Sequence, residues 1–173
     1  MQKLNLKICV LGENCVGKTA LIRRYLENEF KNDYRPTLGV DIYKKKIKTD
    51  AKEHFLLFWE IPLRERFKDL IKIYFNNAIG GIFVYDTTNK KSLYNLEKWL
   101  KRIEKYSESK VRTIPIILIG NKVDLKNERI VFEEEALNFM KKCNFFQHFE
   151  CSAKTNQNVE EAFIALVPQI IKN

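Results

Sequence analysis

No apolar stretch of this chain comes near the ~20 residues that a membrane-crossing helix requires. The opening MQKLNLK reads as the start of a strand and lacks the blocks of a secretory signal. The four cysteines, Cys9, Cys15, Cys143 and Cys151, show no paired spacing, and only His54 and His148 accompany them. A zinc centre is therefore not expected. Free thiols suit a reducing compartment, so a cytoplasmic location is expected. No linker, repeat or low-complexity segment interrupts the chain. Its 173 residues suit one domain, 1–173, large enough to bury roughly 70% of the surface its unfolded form exposes. Acidic residues are the minority, 22 against 31 Lys and Arg, which leaves a net charge of +9. The densest basic runs are Lys44-Lys45-Lys46 with Lys48, and Lys98, Lys101, Arg102 and Lys105. Like charges attract anionic surfaces but fix no specificity. They are read as a solvated lysine surface, and no specific nucleic-acid partner is inferred.

What is present is a regular alternation of apolar runs and helical patterns. Strands are expected at Leu4–Leu11, Val40–Lys48, Glu53–Glu60, Gly81–Tyr85, Ile114–Ile119 and Phe145–Glu150. Helices are expected at Thr19–Asn28, Arg66–Asn76, Lys90–Tyr106, Phe132–Lys142 and Val159–Val167, with Pro168 expected to kink or end the last. This alternation argues for an α/β fold, a mostly parallel sheet covered on both faces by right-handed crossovers. Ligands of such folds sit outside the carboxyl ends of the strands.

Residues 12–19, Gly-Glu-Asn-Cys-Val-Gly-Lys-Thr, complete a GxxxxGK[ST] phosphate-binding loop between the first strand and the first helix. That setting lets backbone N–H groups wrap a phosphate, and Asn14, Cys15, Val16, Gly17, Lys18, Thr19 and Ala20 form the candidate cradle. Gly12 and Gly17 permit the tight turn. Lys18 can reach the β/γ-phosphates, the Thr19 hydroxyl can take a Mg²⁺ position, and the helix N-terminus adds partial positive charge. The motif implies a nucleoside triphosphate.

Two later loops select the base. Asp124, in Asn121-Lys122-Val123-Asp124, can accept from both N–H groups of the guanine edge, a pair adenine does not offer; adenine would leave that buried acceptor unpaired. The Lys122 stem can lie over the ring. Ser152-Ala153-Lys154 follows the next strand and brings backbone N–H groups to the guanine oxygen. With these loops in place, the chain resembles the Ras superfamily of small GTPases over essentially its whole length. Thr37–Asp41, Trp59, Glu65-Arg66-Phe67, Tyr85–Thr88 and Asn158–Phe163 look most like the Rab branch, while Asp33–Thr37 is closer to Ras or Rap. The resemblance implies a small G-protein fold, a six-stranded sheet with one antiparallel strand, and GTP/GDP with Mg²⁺ as cofactors. It also implies that Phe30 stacks near the base. Thr37 becomes the switch I Mg²⁺ ligand, coupling its loop to the γ-phosphate.

One segment departs from the family. Where Asp-Thr-Ala-Gly-Gln-Glu is expected after the tryptophan, this chain has Glu60-Ile61-Pro62-Leu63-Arg64-Glu65. Glu60 keeps the carboxylate that supports Mg²⁺ but is one methylene longer, so it is expected to act through water. Pro62 fixes its own φ and restricts Ile61, which should change the conformations open to switch II. The family glutamine orients the attacking water. Arg64 has donors and no acceptor, so slow intrinsic hydrolysis is expected. The opposite reading has Arg64 stabilising γ-phosphate charge as a finger in cis. Asn14 can crowd a partner's catalytic arginine.

Two functions stay open. In one the protein is a guanine-nucleotide switch that binds effectors through its switch regions, served by an exchange factor and a GTPase-activating protein. In the other it is a pseudo-GTPase, a nucleotide-stabilised scaffold that does not cycle. The sequence ends Ile170-Ile171-Lys172-Asn173, without the C-terminal cysteine of a prenylation signal. Peripheral membrane attachment is thus expected only through a lipidated tail outside this sequence.

Overall fold

A computed structural model of the chain describes residues 4–31, 39–49, 52–63, 70–106 and 113–171. In chain order the elements are β1 (Leu4–Gly12), α1 (Lys18–Glu27), β2 (Asp41–Thr49), β3 (Lys52–Pro62), α2 (Ile71–Phe75) and β4 (Gly80–Asp86), followed by α3 (Lys90–Tyr106), β5 (Ile116–Asn121), α4 (Glu133–Cys143), β6 (Gln147–Glu150) and α5 (Val159–Ile171). They build one six-stranded sheet in the order β2-β3-β1-β4-β5-β6. β2 runs antiparallel to β3, and every other neighbouring pair is parallel.

The central strands are apolar without interruption because both of their faces are covered. Along β1, Cys9 and Leu11 join a core with Phe75, Leu93, Leu96, Leu100 and Phe139 beneath α2, α3 and α4. Leu6, Ile8 and Val10 join the opposite core with Leu21, Ile22, Val159, Phe163 and Leu166 beneath α1 and α5. Every residue of β4 and β5 is buried. The lysine run of β2 has intramolecular partners: Lys44 lies over the Phe55 ring and Lys45 over Tyr25, while Lys46 pairs with Glu53.

Several expected boundaries need correction, and β5 and β6 begin at Ile116 and Gln147 rather than at Ile114 and Phe145. β3 does not stop at Glu60 but continues through Ile61 and Pro62, paired with Leu11 and Gly12 of β1. The described β2 ladder ends at Asp41 opposite Glu60, so Pro62 sits past one ladder and on the last rung of the other, where its missing N–H costs little. Asn121 lies within β5 rather than in the loop after it. Pro168 does not end α5, which runs on to Ile171. The proline removes one intrahelical bond near the C-terminus, while Ile170, 4% exposed, anchors the last turn in the core. Of the helix expected at Arg66–Asn76, Ile71–Phe75 is observed, and residues 64–69 lie outside the described residues.

Candidate nucleotide site

Parallel pairing brings the carboxyl ends of β1, β3, β4 and β5, with β6 beside β5, to one edge of the sheet. The glycines of the first loop are required by contact. A Cβ on Gly12 would stand 2.5 Å from the Val84 carbonyl oxygen, and one on Gly17 would stand 2.2 Å from Asn121 Nδ2. Gly17 also has φ 94, a region that glycine enters without strain. Cys15 holds φ 66, at a steric cost of roughly 1–2 kcal/mol for a residue with a Cβ. Val16 is buried in the α1–α5 core, whereas Asn14 and Cys15 are exposed.

Lys18 closes the loop on itself. Its ammonium donates to the carbonyl oxygens of Gly12 at 2.8 Å and Glu13 at 2.9 Å, and the residue is 6% exposed. Helix α1, with Gly17 at its N-cap position, has no side-chain cap and no acidic residue in its first turn. An uncapped, unopposed helix start of this kind favours an anion, which fits the phosphate chemistry inferred for Thr19 and Ala20.

Asn121 is the hub of the site. Its Nδ2 donates to the Val16 carbonyl at 2.8 Å, and its Oδ1 accepts the Ala153 N–H at 3.2 Å. Its backbone oxygen takes the N–H and hydroxyl of Thr87. One side chain at the end of β5 thus ties the first loop to the loop after β6. Ser152 accepts the Thr155 N–H and donates to Asp124 Oδ1 at 2.6 Å, which fixes the direction of that carboxylate. Lys122, in left-handed backbone at φ 71, is paired with Asp86 Oδ2. Asp86 Oδ1 in turn accepts from the N–H and hydroxyl of Thr88. Lys154 is exposed, and its carbonyl, with that of Ala153, accepts from the Arg24 guanidinium at 3.1 and 2.8 Å. Phe30 is half-buried against the α1–α5 core.

On the β3 side, Glu60 is 2% exposed. Its Oε1 accepts the Thr19 hydroxyl at 2.7 Å, and its Oε2 lies 3.4 Å from the Tyr43 hydroxyl, which donates. Burial, then the charges of Glu60 and Asp41, push the Tyr43 phenol up to about 12, so it stays a donor.

A family model described as Ras family matches residues 7–172. The chain belongs to the Ras family of small GTPases. Among curated relatives, Rab-13 of Canis lupus familiaris is 36% identical over 165 residues, covering 95% of this chain and 79% of its own length. Rab-1 of Theileria annulata is 39% identical over 161 residues, 92% and 71% of the two chains. Rab-21 of Mus musculus is 36% identical over 166 residues, 96% and 73%. The chain is therefore a Rab-like small GTPase, with the sheet and flanking helices expected of it.

In this Rab-like GTPase the structure brings together Lys18, Thr19 and Glu60 on one side and Asn121, Asp124, Ser152 and Ala153 on the other. Thr37 and Arg64 lie outside the described residues. Among the described residues no group of three or more His, Cys, Asp or Glu is gathered for a metal. The oxygen pair of Thr19 and Glu60 nevertheless suits a hard cation. Among the described residues no helix is long and apolar enough to cross a membrane. Sequence reading missed Asp86, Arg24 and Tyr43 as members of the site. Asp86 stood in view within Tyr85-Asp86-Thr87-Thr88, but no spacing rule links it to Lys122, 36 positions on.

Proposed function

We propose that this Rab-like GTPase binds GDP and GTP with Mg²⁺ as a single domain, and that it works as a nucleotide-dependent switch with slow intrinsic hydrolysis. The observation that carries the reading is the Asn121 side chain, which joins the phosphate loop to the loop of Ser152 and Ala153. Asp124 and a backbone N–H of the Ser152-Ala153-Lys154 turn would read the guanine edge, the Lys122 stem would cover the ring, and Phe30 would lie against it. The N–H groups of residues 14–20 and the Lys18 ammonium would hold the phosphates. Mg²⁺, held by Thr19 and Thr37 and by Glu60 through water, would neutralise phosphate charge. Glu60 is close enough to orient Thr19 directly.

Hydrolysis is where the chain departs from the family pattern. Arg64 in the glutamine position can donate but cannot accept, and a water left unoriented attacks slowly. The test is nucleotide quantified from the purified protein together with single-turnover GTP decay, in wild type and Arg64→Gln. Bound guanine nucleotide, slow decay and a faster variant are expected. Decay at the rate of an ordinary small GTPase in the wild type would sink the slow-hydrolysis reading, and a marked loss of rate in the variant would favour the finger. Partners would be effectors reading the switch regions, an exchange factor and a GTPase-activating protein.

One observation favours the scaffold as a second reading. Ile61, Pro62 and Leu63 are buried immediately after Glu60, so the start of switch II is seated in the core. Protease sensitivity with GDP and with a non-hydrolysable GTP analogue separates the two: identical profiles support the scaffold.

A further inference from the structure

Glu60 carries one more rotatable bond than the aspartate that the family resemblance leads one to expect there, and a carboxylate on a longer stem needs more contacts to hold one orientation. The β2–β3 ladder supplies a candidate. Tyr43 pairs with Phe58 and Asp41 with Glu60, which makes Tyr43 the diagonal neighbour of Glu60 on the same face, within reach of a long side chain. That face is covered by α1, where Thr19 sits. The two carboxylate oxygens of Glu60 therefore have a hydroxyl on each side, Thr19 at 2.7 Å from Oε1 and Tyr43 at 3.4 Å from Oε2. Directly across the ladder stands a like charge, Asp41, an unfavourable pairing. A neutral donor such as a phenol steadies Glu60 without adding charge.

We propose that Tyr43 is a positioning residue for Glu60, fixing the longer carboxylate in the orientation in which it serves Mg²⁺ beside Thr19. The inference rests on the nucleotide and Mg²⁺ reading above. In metal sites, partners that orient a ligand govern affinity alongside the ligand itself. Tyr43 would thus compensate on β2 for the substitution on β3. Shortening the carboxylate should remove the need for it, because an aspartate at the same backbone position cannot extend as far toward the phenol.

The experiment is release of a fluorescent GDP analogue from wild type, Tyr43→Phe, Glu60→Asp and the double variant, in excess Mg²⁺ and in EDTA. With Mg²⁺, Tyr43→Phe should accelerate release about three- to tenfold, the scale of one hydrogen bond. In EDTA its release should match wild type. In the Glu60→Asp background the same substitution should change release less than about twofold, since the bond it removes is then absent. Equal acceleration with and without Mg²⁺ would mark Tyr43 as merely structural and overturn the proposal. So would an undiminished effect in the Glu60→Asp background, or no acceleration in Mg²⁺. Failure of the wild type to bind the analogue at all would overturn the nucleotide reading itself, a result distinct from bound analogue whose Mg²⁺ dependence ignores Tyr43.

Discussion

The base side and the metal side of this site are built on different terms. On the base side, Asn121, Asp124, Ser152, Ala153 and Thr87 form a closed set of hydrogen bonds spanning three loops, and their residue types match the family pattern. On the metal side, a longer carboxylate, a proline at the end of β3 and a buried Ile61–Leu63 segment replace that pattern. On the proposed function, nucleotide recognition and nucleotide cycling would fall to separate parts of the sheet edge, so that one could be retained while the other is altered.

The largest effect should come from cutting the base-side hub. Asn121→Ala strands the Val16 carbonyl and the Ala153 N–H in a buried setting, at a combined cost of about 3 kcal/mol. Guanine-nucleotide affinity measured by calorimetry should fall at least about a hundredfold. A small loss would show that the three loops hold without their common tie, and the comparison would collapse. Ser152→Ala should cost less. It releases one oxygen of Asp124 without removing the carboxylate, so GDP affinity should drop about tenfold, with Mg²⁺ dependence of release unchanged. A changed Mg²⁺ dependence would mean that the two sides are coupled.

A third prediction concerns acid. Burial holds the His148 imidazole below its ordinary 6.5, against the pull of Glu150 and with the push of Arg129, and its Nε2 lies 3.1 Å from the Tyr85 hydroxyl. The unfolded chain binds the proton first as pH falls. The stability contributed is complete above 6.5 and is lost as pH drops toward the lowered folded value. Melting temperatures at about pH 7.5 and about pH 5 should therefore diverge more in wild type than in His148→Gln. Equal divergence would remove His148 as the cause. The smallest effect should be Cys15→Gly. Relief of the left-handed backbone is offset by glycine's freedom when unfolded, so thermal stability should rise by no more than about 1 kcal/mol.

How legible the molecule is in its sequence follows the same division. β1, β4 and β5 are legible because burial on both faces writes an unbroken apolar run. The phosphate loop and the two base loops are legible because each is local, with chemistry and geometry within a few residues. The Lys122–Asp86 pair, the Arg24 clasp on Ala153 and Lys154 and the Tyr43–Glu60 contact are not local. Each depends on which strands lie side by side and in what register. The extension of β3 through Pro62 was hidden for a related reason. A proline reads as a break unless it is known that the β2 ladder has already ended at Asp41.

The lysines of β2 have a consequence unrelated to nucleotide. β2 is an outer strand of the sheet, with backbone groups on one side that a strand from another molecule could recruit. A newcomer would bring its chain alongside Lys44, Lys45, Lys46 and Lys48 and meet concentrated positive charge, an obstacle to edge-to-edge aggregation. The opposite outer strand, β6, has 4 residues and offers too short a template for stable addition. The lysine run would thus oppose sheet growth through this edge.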